Sequence, residues 1–292
     1  MADTPSILRP EDMARLASYR FAVQMMAEGW LSGHHRAKGR GGSTDFLEYR
    51  EYSPGDDLRL IDWRVYARTD RMQLKTFENE THLECHLFVD SSASMAYREE
   101  GPLSKLQYAS HLAACIAWLV VRGNDRVSLQ LFDEKIRKFI PAGSTAAHLN
   151  QCLHCLEYNK PGGKTDLPEA LAASHHLLTR AGTLVIVSDF LCDVAALRRS
   201  LNIFLHRGCK IVLVQVLDAG ELQLSGSGVA RYVDMETGEK LTCNLADLQE
   251  AYATRMAEHL HALRAMAASA GMLFFTTRTD QSFYPIFDAL SR

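Results

Sequence analysis

Three short apolar runs constrain this chain more than anything else in it: Leu87-Phe88-Val89, Leu184-Val185-Ile186-Val187 and Ile211-Val212-Leu213-Val214. None alternates with polar residues, and each is too short to read as a buried helix. A strand that is apolar at every position is buried on both faces, as in a parallel sheet sandwiched between helices. Helical periodicity fills the intervals. Residues 104–122 carry a broad apolar stripe through Leu106, Ala109, Leu112, Ala113 and Ile116, and residues 145–156, 167–179, 194–206 and 246–269 read as further helices. Strands alternating with helices predict an α/β fold built on a doubly wound, mainly parallel sheet.

Two stretches depart from that rhythm. Residues 127–132 and 135–140 are both strand-like, and the Asp133-Glu134 turn between them is far too short for a crossover, which predicts one antiparallel edge strand. Residues 221–244 hold strand-like 229–235, a Glu236-Thr237-Gly238-Glu239 turn and strand-like 240–243, which reads as a hairpin insertion. A last strand is expected over 272–277 and a short final helix over 283–290.

Upstream, residues 11–30 read as a helix starting after Pro10, and residues 32–43 as a Gly-rich basic loop. Residues 46–52 and 72–78 are candidate strands. Between them lie the turn Ser53-Pro54-Gly55-Asp56-Asp57 and a helical turn through Leu60, Ile61 and Trp63. The charged residues Arg59, Asp62, Arg64, Arg68, Asp70 and Arg71 of this region read first as a surface ion-pair network. The expected organisation is an N-terminal helix-and-strand segment, residues 1–80, packing on an α/β domain, residues 81–292.

The balance of charge narrows the function classes. The 292 residues are 47% hydrophobic and 23% charged, with a net charge of −3, which argues against a general nucleic-acid or anionic-membrane binder. Arg36, Lys38 and Arg40 form only a short basic cluster, read as a solvated connector. Seven cysteines, an odd number without a regular framework, point to free thiols in a reducing compartment. Met1 to Pro5 has neither the basic nor the apolar character of a signal peptide, and the apolar run 112–121 is shorter than the roughly 20 residues a bilayer needs. A soluble cytoplasmic protein without a membrane segment is expected.

Two of the buried strands end on an aspartate, Asp90 and Asp189. In a parallel sheet all such ends lie on one edge, where open α/β sheets bind ligands. Asp90 opens Asp90-x-Ser92-x-Ser94, one carboxylate and two hydroxyls on a short loop, and Gly163-Lys164-Thr165-Asp166 adds the hydroxyl of Thr165. Two carboxylates and three hydroxyls suit a hard divalent cation, Mg²⁺ foremost with Mn²⁺ or Ca²⁺ as substitutes. They also leave coordination positions for water or an incoming acidic ligand. Each piece alone is ordinary, since an aspartate after a strand is often only a helix cap; the order and spacing together carry the reading.

Competing motifs fail on inspection. A phosphate-binding loop ending in Gly163-Lys164-Thr165 would need glycine where Tyr158 stands. Ser92 replaces the second acid of an aspartyl-phosphate phosphatase, and Ser225-Gly226-Ser227-Gly228 lacks the first glycine of a nucleophile elbow. Cys152-x-x-Cys155 with His154 falls inside an apolar helical pattern, where buried inert thiols are expected instead of a redox or zinc site.

The segments Asp90-Ser91-Ser92-Ala93-Ser94-Met95, Gly163-Lys164-Thr165-Asp166 and Ser188-Asp189-Phe190 resemble the metal-ion-dependent adhesion site of von Willebrand factor A domains. Upstream, the run from Tyr49 through Pro54-Gly55-Asp56-Asp57 to Asp62-Trp63 resembles the bacterial family known as domain of unknown function 58. That resemblance implies Asp90, Ser92 and Ser94 as the first ligand group, Thr165 as the second-loop ligand, and Asp189 as a third-loop carboxylate often acting through water. It implies a protein partner that supplies an acidic residue to the metal, a MoxR-type AAA+ ATPase as that partner, and a role in assembling or maturing client proteins. It implies no catalytic activity. The rival expectation is a Mg²⁺-dependent phosphoester hydrolase on the same residues, for which the sequence names no general base beyond the ligands.

Overall fold

The computed structural model describes residues 7–16, 46–53, 58–77, 83–99, 102–178, 180–222, 224, 228–236 and 238–290. The basic loop 32–43, the Pro54-Gly55-Asp56-Asp57 turn and the expected helix beyond Leu16 lie outside these residues. The chain divides into two compact units, residues 33–82 and the remainder. Helix α1 (Pro10–Leu16) belongs with the larger unit, where Leu16 is fully buried in the core.

The smaller unit pairs β1 (Phe46–Glu51) antiparallel with β2 (Gln73–Phe77), around helix α2 (Trp63–Thr69). Asp62 fastens all three. Its Oδ1 accepts from the Arg64 and Val65 amides at 2.9 and 3.3 Å, capping α2, and its Oδ2 accepts from the Tyr49 hydroxyl at 2.9 Å. Its own amide donates to the Gln73 carbonyl at 2.9 Å. The aspartate of the Asp-Trp motif is thus a helix cap tied to both strands.

The larger unit continues through β3 (Glu84–Asp90), α3 (Lys105–Arg122), β4 (Arg126–Phe132), β5 (Ile136–Gly143), α4 (Ala146–Glu157), α5 (Leu167–Ser174) and β6 (Thr183–Ser188). Then come α6 (Val194–His206), β7 (Lys210–Leu217), α7 (Ala219–Leu222), β8 (Val229–Val233), β9 (Lys240–Asn244), α8 (Leu245–Ser269), β10 (Leu273–Arg278) and α9 (Tyr284–Leu290). The main sheet runs β10-β7-β6-β3-β4-β5. Every neighbouring pair is parallel except β4 and β5, so the expected antiparallel edge strand is β5. Strands β8 and β9 form a separate antiparallel hairpin, the expected insertion.

Both faces of this sheet are covered, and side chains alternate between them. Cys85, Leu87 and Val89 of β3 join Val185 and Val187 of β6 against α3 and α4. Phe88, Leu184 and Ile186 point the other way, against α5, α6 and α8. Phe88 packs there 6.4 Å from Phe132 and 6.3 Å from Phe204, ring to ring. Each such side chain contributes about 1.5–3 kcal/mol on burial. That is why the strands read as unbroken apolar runs.

The ends of the elements follow local chemistry. Ser104 and Gln107 form a reciprocal capping box at the start of α3. The chain leaves α3 at Gly123, and Asn124 takes the left-handed conformation, φ 61°, that a side-chain amide tolerates. The helix expected over 167–179 ends as an α-helix at Ser174 and tightens into a 3₁₀ turn, His175–Leu177. Ser174 Oγ donates to the Leu171 carbonyl and His175 Nδ1 lies 2.7 Å from the Ala172 carbonyl, so side chains compete for the groups that would continue the helix. Among the described residues no helix is long and apolar enough to cross a membrane.

Asp12 fixes α1 to the unit. Its Oδ2 lies 2.9 Å from His111 Nε2, and its Oδ1 accepts from the Tyr284 hydroxyl at 2.7 Å. Burial pushes the Asp12 carboxyl up, but hydrogen bonds from Tyr284 and His111 outweigh it and hold the group below the ordinary aspartate value. A carboxyl depressed on folding adds stability above its unfolded-state pKa, and loses that contribution as pH falls through the folded-state value. Asp12→Asn is expected to cost about 1 kcal/mol at neutral pH. Its urea-unfolding midpoint should converge on that of the wild type as acid protonates Asp12; a constant gap at every pH would contradict this role.

Candidate metal centre

From β3 the chain builds β4 and β5 on one side of the sheet, then returns to build β6, β7 and β10 on the other. The strand order therefore reverses between β3 and β6, and the crevice beyond their C-terminal ends is where such sheets bind ligands. Asp90 is the last residue of β3, and Asp189 follows the last residue of β6. Both are buried, at 0% and 1% exposure.

Asp90 is held from two sides. Its Oδ1 accepts from the Ser92 amide at 2.9 Å, and its Oδ2 accepts from Ser188 Oγ at 2.6 Å. Each oxygen keeps further acceptor capacity. Ser94 Oγ donates to Asp189 Oδ2 at 2.9 Å, and Ser92 Oγ lies 3.1 Å from Ser94 Oγ. A hydroxyl has one proton, and that of Ser94 is committed to Asp189, so Ser92 is the donor to Ser94. The relay Ser92 to Ser94 to Asp189 consumes both protons and leaves oxygen lone pairs for a cation.

Two backbone hydrogen bonds lace the second loop to the first: Gly162 N to Ser91 O at 2.8 Å and Ala93 N to Gly163 O at 3.0 Å. Asp166 then caps α5 through the Glu169 amide at 3.1 Å. Thr165, between these anchors, lines the same cavity of about 300 Å³ as Ser94 and Asp189. Its hydroxyl donates to Glu236 Oε1 at 2.6 Å, a side chain from the turn of the β8–β9 hairpin. The structure thus brings Ser92, Ser94 and Asp189 into one chain of contacts, with Asp90 beside them and Thr165 on the wall of the shared cavity.

Phe190 completes the turn after Asp189 in the left-handed region, φ 54°, which a non-glycine residue adopts only under constraint. The constraints are visible. Phe190 N donates to Ser188 Oγ at 3.0 Å, His259 Nε2 lies 2.8 Å from the Phe190 carbonyl, and the ring is buried in the second core cluster.

Electrostatics favour a cation here. Burial, and then the charge of Asp189, push the Asp90 carboxyl up to about 7, against the hydrogen bonds from Ser188 and Ser92. The cavity wall adds Glu221, Asp234 and Glu236, and among the described residues that line it there is no lysine, arginine or histidine. No group of three or more His, Cys, Asp and Glu side chains converges as a metal cage among the described residues. A metal here would depend on hydroxyls. An all-oxygen donor set with available lone pairs and excess negative charge fits a hard divalent ion.

Lys105 was not legible as part of the site. It is the first residue of α3, fully buried, with Nζ 2.8 Å from Asp189 Oδ2 and 2.5 Å from Glu221 Oε1. Burial alone would pull its pKa down; the two carboxylates outweigh that and hold it above the usual lysine value. Glu221 is pushed up by burial, opposed by Lys105. The one available signal was mild: a cation in the first turn opposes the helix dipole and calls for a local partner.

Of the Cys152-x-x-Cys155 pair, Cys152 is buried and Cys155 half-buried. Cys152 is fully buried on α4, its thiol pushed up to about 12 by burial, and all seven cysteines are free. Gly163-Lys164-Thr165 follows a loop after α4 and not a strand, unlike a phosphate-binding loop.

A family model described as "Protein of unknown function DUF58" matches residues 48–262. Uncharacterized proteins of Mycobacterium tuberculosis and Mycobacterium bovis are each 27% identical over 288 residues, covering 96% of this chain and 90% of the relative. Among solved structures, the conserved hypothetical protein BatB from Bacteroides thetaiotaomicron shares 16% identity at a TM-score of 0.46, over 72% of this chain and 95% of BatB. The SpRpn10 VWA domain shares 9% identity at a TM-score of 0.43, over 71% and 94%. Those two likenesses are distant and carry nothing about function.

Removing Lys105 leaves Asp189 and Glu221 buried without their cation, a change that typically costs about 3–5 kcal/mol. Lys105→Met is expected to lower the urea midpoint by a corresponding amount, and adding Glu221→Gln should recover part of the loss. An unchanged midpoint in the single mutant would contradict the pairing.

Proposed function

We propose that this chain, which belongs to the DUF58 family, is a protein-interaction module that docks a partner through a divalent cation. Asp90, Ser92, Ser94, Thr165 and Asp189 would hold the ion, Mg²⁺ foremost with Mn²⁺ or Ca²⁺ as substitutes. When bound, the ion supplies an electrophilic point for a carboxylate oxygen of another protein. The observation that carries this reading is the hydroxyl relay from Ser92 through Ser94 to Asp189, beside buried Asp90. Three of the five ligands are neutral. The ion would therefore keep much of its field for an incoming acid, and the docking would be reversible.

The partner would present an aspartate or glutamate. Its class follows the family resemblance: a MoxR-type AAA+ ATPase, with this chain as its adaptor in assembling or maturing client proteins in the cytoplasm. Phosphoester hydrolysis on the same residues is less well supported. A phosphate dianion would meet Asp189, Glu221, Asp234 and Glu236 on the cavity wall, and a singly charged carboxylate meets less repulsion.

Capture of a purified MoxR-type ATPase by the immobilised chain tests the reading. Capture is expected in Mg²⁺, and it should be lost with a chelator and in Asp90→Ala, whose circular dichroism should remain that of the wild type. Capture indifferent to chelator and mutation would refute cation-dependent docking. Mg²⁺-dependent turnover of phosphoesters, lost in the same mutant, would establish the hydrolase instead.

A further inference from the structure

The β8–β9 hairpin stands apart from the main sheet. Its turn reaches the candidate metal centre, and this bears on what the site binds. We propose that Glu236 is a built-in carboxylate ligand of the cation, holding the position that a partner's acidic residue takes. The inference rests on the docking reading above and specifies how that site is kept closed.

Glu236 is aimed by a structured turn. Its amide donates to Asp234 Oδ1 at 2.7 Å, the Asp234 amide donates to the Glu239 carbonyl at 2.8 Å, and the Gly238 amide donates to the Asp234 carbonyl at 2.9 Å. Gly238 sits at φ 73°, where a side chain would be strained. Behind the turn, a continuous ladder from Val233 opposite Lys240 to Val229 opposite Asn244 stiffens the arm. The tip of this arm contributes Asp234, Met235 and Glu236 to the cavity that Ser94, Thr165 and Asp189 line from the C-terminal edge of the main sheet.

The contact with Thr165 has the polarity that a shared metal requires. Thr165 donates its only proton to Glu236 Oε1, so the lone pairs of its oxygen are available to the same cation that the carboxylate would bind. Glu236 shares the cavity with Asp189, Glu221 and Asp234, so the wall around it is acidic.

The arm is also built to leave. The hairpin pairs with no strand of the main sheet, and its side chains bury little: Val229 is 75% and Val233 51% exposed. Exchanging Glu236 for a partner's carboxylate keeps the charge at the site constant, and it sacrifices few apolar contacts. The partner is thereby specified as a segment with an exposed Asp or Glu that competes with an internal one. Its apparent affinity is lowered by the fraction of time Glu236 is bound.

Mn²⁺ titration of the full chain, followed by water-proton relaxation, tests this with the metal alone. Glu236→Gln is expected to weaken Mn²⁺ binding roughly tenfold and to raise the relaxivity of the bound ion, because water replaces the carboxylate. Acetate should then lower that relaxivity in Glu236→Gln and leave the wild type unaffected. Glu239→Gln, which removes a neighbouring charge of the same turn, should behave as wild type. If Mn²⁺ binding is lost in Asp90→Ala but Glu236→Gln matches the wild type in affinity and relaxivity, Glu236 is not a ligand and the docking site stands. If the wild type binds no Mn²⁺, or Asp90→Ala binds it equally well, both readings fall.

Discussion

Ser188 Oγ joins the two strands on which the whole site depends. It donates to Asp90 at the end of β3 and accepts from the Phe190 amide in the turn that follows β6. A buried carboxylate must be matched by donors, and here the match links the two strand ends at the reversal of the sheet. The rest is built outward from that link. The Ser92 amide secures the other oxygen of Asp90, which sets the course of the first loop and places Ser92 and Ser94 in line with Asp189. Backbone bonds to Ser91 and Ala93 then draw in the second loop with Thr165. The sheet itself, apolar on both faces, is the rigid support that holds these loop starts in register.

Charge is balanced in two tiers. Deep in the fold, Lys105 pairs with Asp189 and Glu221, while Asp90 is held by the Ser92 amide and the Ser188 hydroxyl. Nearer the surface, the cavity adds Asp234 and Glu236 to an already acidic wall. Among the described residues of the site, acidic side chains are in surplus over Lys105, the cation paired with two of them. On the proposed reading, that surplus is the share reserved for a divalent ion, and the hairpin carboxylate is its first occupant.

Much of this was legible in the sequence, for identifiable reasons. Unbroken apolar runs read as strands because both faces are buried, and the brief Asp133-Glu134 turn permitted only an antiparallel pair. That Asp90, Ser92, Ser94, Thr165 and Asp189 lie in strand ends and adjoining loops at one edge of the sheet was legible, because sequence position alone sets it. The places of Lys105, Glu221 and Glu236 were not. Their positions depend on how α3 and the insertion fold back on the site, and a cation in the first turn of a helix is only a weak local sign of a buried partner. The left-handed Phe190 is equally silent, because tertiary packing alone holds a phenylalanine there. Likewise, α1 goes with the larger unit through buried Leu16 and the Asp12 contacts, which no periodicity reveals.

The central claim is that a divalent ion sits between these loops. Anomalous scattering from a crystal of the full chain grown with Mn²⁺ addresses it most directly. The account predicts an anomalous difference peak bounded by the hydroxyl oxygens of Ser92, Ser94 and Thr165, on the side facing Asp189. A well-ordered site with no peak at saturating Mn²⁺, or a peak only elsewhere on the molecule, would contradict it.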